Sequence, residues 1–144
     1  TSLGYAIFKT ANLIAATRRF GKEAVAKGEP SYDIKNFVIL LVTDGFQETN
    51  PDDFNNPLRS IEVPEAVEFA KKEGIRLYIV NIDPSIAAAQ YADHRKLFQL
   101  LAQSTGGQFF YSQGSDDLSR IYAEIDQLEK SLLPPDSLKD KERL

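Results

Sequence analysis

Thr43-Asp44-Gly45 closes an unbroken apolar run, Phe37-Val38-Ile39-Leu40-Leu41-Val42. A carboxylate placed there would be delivered by the end of a strand, where ligands collect in open α/β sheets. Asp44 could then hold a cation, or serve a magnesium-dependent phosphoryl transfer. Thr-Asp-Gly is also an ordinary turn, with the threonine able to brace it through its hydroxyl. Other reactive groups are sparse. The chain has no cysteine, so it offers no thiol nucleophile and no thiolate for a metal. Its one histidine, His94, sits in the charged stretch Asp93-His94-Arg95-Lys96 and reads as an exposed helix residue. A single histidine also excludes a multi-histidine zinc site. No Gly-x-Gly-x-x-Gly or Walker glycine loop follows an apolar run, and no serine elbow is present. The residue inventory therefore lacks the usual marks of a nucleotide-binding or serine-nucleophile enzyme.

The elements that would position Asp44 follow from the pattern around it. Six apolar residues are too few for a membrane helix and suit a strand buried on both faces of a parallel sheet. Residues 1–27 carry a helical period through Leu3, Ile7, Ala11, Ile14 and Ala15, and Gly28-Glu29-Pro30 ends them. Residues 45–60 are rich in Asn and Pro and read as a long polar loop beside Asp44. Ile61 to Glu73 is a helix with Pro64 in its first turn, and Gly74 terminates it. Ile75 to Ile82 is the second strand. Ile86 to Ser104 is mostly helical, with Leu97, Leu100 and Leu101 expected on its inner face and Ala89 and Phe98 as further candidates for it. Gln108 to Tyr111 is a short aromatic strand. Ser115-Asp116-Asp117 opens the last helix, with Leu118, Ile121, Tyr122, Ile125 and Leu128 as its stripe, and Pro134-Pro135 stops it.

This alternation predicts three parallel strands, 37–43, 75–82 and 108–111, adjacent in that order and flanked by helices. The expected core is Val38, Leu40, Val42, Leu77, Ile79, Leu101, Phe109, Ile121 and Ile125. At 144 residues the chain fits one domain, with 42% hydrophobic residues and a net charge of -4. That charge leaves no surplus of positive groups for nucleic acid. No signal peptide or transmembrane run is visible. The chain begins at Thr1 and contains no methionine, so it reads as a piece of a longer protein.

Taken in order, several pieces resemble the later part of a von Willebrand factor A (VWA) domain, close to the bacterial aerotolerance-type membrane-associated group. They are Thr1-Ser2-Leu3-Gly4-Tyr5-Ala6, the strand ending in Thr43-Asp44-Gly45, Gly74 to Ile82, Thr105-Gly106-Gly107-Gln108-Phe109-Phe110, and Asp117 to Asp126. The resemblance implies a three-layer, Rossmann-like α/β fold over residues 1–133, with its N-terminal strands missing and a charged tail at 134–144.

Members of that family hold a divalent ion on three loops. The resemblance assigns Thr1 and Asp44 as metal ligands. The family's first motif, Asp-x-Ser-x-Ser, has no counterpart here. Asp83-Pro84-Ser85-Ile86-Ala87 keeps two of its three residues and follows the wrong strand, and Asp117-Leu118-Ser119 falls within a helix. Two oxygens do not make the octahedral shell Mg²⁺ requires. The expectation is therefore Mg²⁺, with Ca²⁺ or Mn²⁺ as alternatives, in the complete domain, and no tight binding by this chain alone.

The implied role is protein–protein binding, with an acidic residue of the partner completing the metal shell. The missing N-terminal part, present as a separate chain, is a second candidate partner. The resemblance also implies a cell-envelope or membrane-associated parent, this piece itself being soluble. The rival readings are a degenerate structural VWA domain without metal, and a magnesium-dependent phosphoryl-transfer enzyme.

Overall fold

A computed structural model describes residues 3–28, 36–44, 62–112 and 115–132. In order they form helix α1 (Leu3–Ala26), strand β1 (Phe37–Thr43), helix α2 (Val63–Lys72), strand β2 (Ile75–Asn81), two 3-10 turns (Pro84–Ala87 and Ala89–Tyr91), helix α3 (Ala92–Ser104), strand β3 (Phe109–Tyr111) and helix α4 (Ser115–Leu132). The expected tail, 134–144, and the polar loop, 45–60, lie outside the described residues.

All three strands are parallel and lie in the order β1-β2-β3, as the strand–helix rhythm predicts. Phe37 stands opposite Ile75 and Thr43 opposite Asn81, while Ile79 to Asn81 pair with Phe109 to Tyr111. Alternation along the strands then splits the core in two. On one face Ile39, Ile75, Leu77, Ile79 and Phe109 meet α1, α2 and α3 through Leu3, Ile7, Val63, Val67, Phe98 and Ala102. On the other face Tyr78, Val80 and Phe110 meet Ile121 and Ile125 of α4, with Leu118 and Leu128 alongside. The result is a three-layer α/β arrangement.

β1 departs from expectation. The unbroken apolar run predicts burial on both faces, yet Leu40 is 46% and Val42 44% exposed. The cause is the reach of α4, the single described helix on that side. It covers β2 and β3 and reaches Val38 of β1, but leaves Leu40 and Val42 open. Among the described residues no strand pairs with the other edge of β1.

α3 is also rotated from the expected phase. Phe98 and Ala102 are buried, whereas Leu97 and Leu100 face solvent. Leu101, also expected inside, is partly buried against the core. Both faces keep a helical period, and packing on β2 and β3 selects the one through Phe98 and Ala102. Ile86 is fully buried and takes the core position.

α1 is one continuous helix. Leu3 and Ile7 are buried as predicted, while Ile14 is only partly covered. It lies chiefly along α2 and touches the sheet less. Buried alanines on both helices, Ala11 and Ala15 with Ala66 and Ala70, suit close approach. Phe8 and Phe69 meet with ring centroids 4.9 Å apart. Arg18 donates from a guanidinium nitrogen to the Glu73 carbonyl at 2.6 Å, capping the negative end of α2, and lies over the Phe37 ring at 4.5 Å.

The turn from α3 to β3 supplies a ladder bond that the short β3 cannot. The Leu77 amide donates to Thr105 Oγ1 at 2.8 Å, and that hydroxyl donates to the Ala102 carbonyl at 2.7 Å. Ladder pairing with the β3 segment resumes at Ile79, whose amide donates to the Gln108 carbonyl. Replacing Thr105 by valine keeps the shape and strands the Leu77 amide, at an expected cost of about 1–3 kcal/mol. Serine at the same position should recover most of it. Chemical denaturation of the two variants checks this, and equal stability of T105V and the parent would contradict it.

Candidate functional site

Asp44 follows the last residue of β1 and is exposed. Its neighbour Thr43 fixes its place on the sheet, because the Ile82 amide donates to the Thr43 carbonyl at 2.8 Å. The Ser112 amide donates in turn to the Asn81 carbonyl at 2.9 Å. The ends of all three strands are thus tied into one edge, and Asp44 stands at its β1 corner.

The polar residues of this edge form a pattern. Thr43, Asn81 and Ser112 are the three buried polar side chains among the described residues, and each lies at or just past the carboxyl end of a different strand. A buried polar group is tolerated only when hydrogen-bonded, and no described buried side-chain nitrogen or oxygen lacks a partner. Asn81 Oδ1 accepts from the Asp83 amide at 2.9 Å. Asp83 Oδ1 accepts from the Ser85 amide at 3.0 Å and caps the 3-10 turn Pro84–Ala87. Asp83, which the partial motif match had drawn in, is therefore engaged in holding that turn. Beyond it Arg95 donates to the carbonyls of Ile86 at 2.5 Å and Ala88 at 2.7 Å, and lies over the Tyr111 ring at 5.8 Å.

Sequence reasoning named Asp44 and missed Asn81 and Ser112. The signal for Asn81 was a lone amide inside the apolar stretch Ile79-Val80-Asn81-Ile82. Ser112 carried no comparable signal. Thr1, the other expected ligand, lies outside the described residues. His94 is exposed on α3, with its ring 6.1 Å from that of Tyr91. Among the described residues no three His, Cys, Asp or Glu side chains come together as an ion-holding group. Asp44 brings one carboxylate to this edge.

No protein-family model matches the chain, and no curated protein matches it. Among solved structures it is similar to the crystal structure of an uncharacterized membrane-spanning protein from Vibrio fischeri, at 27% identity and a TM-score of 0.50. The match covers 67% of this chain and 49% of that one, so the chain spans about half the length of its neighbour. No described helix of the present chain is long and apolar enough to cross a membrane.

Proposed function

We propose that the chain is the later part of a VWA-type protein-binding module, whose cation site is completed by a preceding segment laid against β1. The observation that carries this reading is the position of Asp44. It is an exposed carboxylate at the carboxyl end of a strand whose other edge has no described partner and whose outward-facing Leu40 and Val42 are exposed. A further strand pairing there would bring its own loop to the same edge, beside Asp44. The VWA resemblance supplies the ligand types, hydroxyls and few carboxylates, which leave a bound Mg²⁺ open to an acidic group of a partner protein. Membrane association of the parent is part of the proposal. It is supported by the membrane-spanning description of the Vibrio fischeri protein and by the aerotolerance-like ending. In this reading Asp44 binds, directly or through a water, and is not a nucleophile or a general base.

Magnesium titration by calorimetry on two samples tests the proposal: this chain alone, and the same chain extended by its preceding segment. The first should show weak or no binding. The second should bind, and Asp44→Ala should abolish the heat without altering the far-ultraviolet circular dichroism. Equal binding by both samples would refute a site shared with the preceding segment. An extended chain that retains the Asp-x-Ser-x-Ser motif and binds nothing would leave the degenerate, structural reading in its place.

A further inference from the structure

The two most exposed large apolar side chains among the described residues are on one helix: Phe20 at 71% and Leu13 at 67%, both on α1. They are seven residues apart, two turns, and so share one line along the helix. That line is opposite the buried one through Leu3, Ile7 and Ala11. Lys9 precedes Leu13 by one turn on the same side. Lys27, whose amide still bonds the Glu23 carbonyl in helical fashion, follows Phe20 by two. Arg19 is exposed on the flank, about 100° around the helix from Phe20, and the exposed acid Glu23 lies one turn from both Phe20 and Lys27.

The charge of the chain is segregated in the same sense. From Thr1 to Gly28 there are five basic residues, Lys9, Arg18, Arg19, Lys22 and Lys27, against one acid, Glu23. The remainder carries 12 Lys and Arg against 20 Asp and Glu. An acidic protein thus presents one basic helix, and on that helix the most exposed large apolar side chains are a phenylalanine and a leucine. Arg18 is committed to α2, but Lys9, Arg19, Lys22 and Lys27 are exposed. Apolar side chains projecting from a basic helical face match the interface of an anionic bilayer, where rings and methyls enter the acyl boundary and cations meet headgroups. An acidic protein groove would satisfy the charges, but it gives less reason for two isolated apolar side chains at the outermost line.

We infer that the outer face of α1 docks the domain flat onto an anionic lipid surface through Leu13 and Phe20, with Lys9, Arg19 and Lys27 on the headgroups. The inference is independent of any cation site, and its test runs in EDTA so that the two proposals fail separately. The 144-residue chain, taken as a monodisperse gel-filtration fraction, is sedimented with vesicles of phosphatidylglycerol and phosphatidylcholine in equal parts, and with phosphatidylcholine alone. Binding is expected to the mixed vesicles only, and should weaken as salt shortens the screening length. L13S/F20S should lower the partition coefficient more than about tenfold. Neutralising Lys9, Arg19 and Lys27 with glutamine should lower it by roughly fivefold per charge. Both variants alter exposed side chains and should melt like the parent. Failure of the folded chain to bind the mixed vesicles overturns the inference, as does equal binding by either variant. Binding to phosphatidylcholine alone at the same strength would remove the electrostatic half. Capture by immobilised polyglutamate without capture by anionic vesicles would assign the face to an acidic protein instead.

Discussion

Replacing Gly107 by alanine is expected to cost this domain about 3 kcal/mol or more of stability. A β-carbon at that position would stand 1.9 Å from the Leu77 carbonyl oxygen and 2.6 Å from its carbonyl carbon. Real β-carbons do not approach backbone so closely, and no side-chain rotation relieves a backbone clash. Leu77 lies within β2, the central strand, and is fully buried. Gly107 is itself tied to the α3 terminus through its amide and the Ala102 carbonyl at 3.1 Å. Neither segment can retreat without disturbing the bonds that join α3, β2 and β3. A thermal midpoint lowered by roughly 10 °C is the corresponding expectation for a domain of this size. The neighbouring glycine offers a contrast. Gly106 has a φ of 88°, and a β-carbon there would meet only the Arg76 side chain, at an ordinary contact distance of 3.4 Å. Its alanine variant should suffer from backbone conformation, a smaller penalty of about 1 kcal/mol. Comparable melting of G107A and the parent would show that the turn yields more easily than its packing implies.

Loss of Glu129 should have the second largest effect. Glu129 of α4 accepts two parallel bonds from Arg76, at 2.8 Å from Nε and 2.6 Å from a terminal nitrogen, and a third from the Tyr78 hydroxyl at 2.6 Å. Arg76 and Tyr78 are on β2, so this fork fastens α4 to the central strand. The paired side chains are only 18% and 22% exposed. Glu129→Ala would leave a guanidinium and a phenol without their acceptor in that setting, for about 2–4 kcal/mol. Glu129→Gln keeps an acceptor and should cost less.

The fork also sets a pH dependence. The Arg76 bonds hold the Glu129 carboxyl below its ordinary value of 4.5 against the opposing pull of burial, and Tyr78 adds to the lowering. Its contribution is full above pH 4.5 and is lost as pH falls through the depressed folded value. Tyr78 is pushed up from 10.0 to about 12, first by burial and then by its bond to Glu129. That contribution is full below pH 10 and is lost as pH rises through about 12. Urea midpoints measured from neutral pH downward should show the gap between parent and E129Q closing below pH 4.5. A gap unchanged across that range would mean that the charge on Glu129 contributes nothing to folding.

The fold was legible because its signals are local. Apolar runs bounded by Gly74 and by Thr105-Gly106-Gly107 mark strands, and their alternation with helices restricts the sheet to parallel pairing. Side-chain facing was less legible. Leu40 and Val42 have the composition of buried strand residues, but their exposure depends on how far a helix some eighty positions later extends across the sheet. Leu97 and Leu100 were misplaced because two neighbouring faces of α3, Leu97-Leu100-Leu101 and Phe98-Leu101-Ala102, both keep a helical period, and only docking on the sheet selects the second. The Arg76–Glu129 fork joins residues 53 positions apart, and each alone looks like a solvated surface charge. At the site, Asp44 was visible because a turn signature follows the apolar run. The row Thr43, Asn81 and Ser112 became visible only when pairing placed three strand ends side by side.

β1 has a consequence for the life of the polypeptide as well as for its shape. The strand reads Phe-Val-Ile-Leu-Leu-Val-Thr, seven residues with no charge, proline or glycine. Natural edge strands are blunted by lysine, proline or a bulge, and β1 has none of these. Uncharged segments of this length and β-propensity are the kind that seed cross-β fibrils when they stand open. Time spent uncovered is therefore a kinetic hazard that rises with concentration. A neighbour laid along β1 would shield the chain from self-association as well as extend the sheet, at the strand that carries Asp44 to its edge.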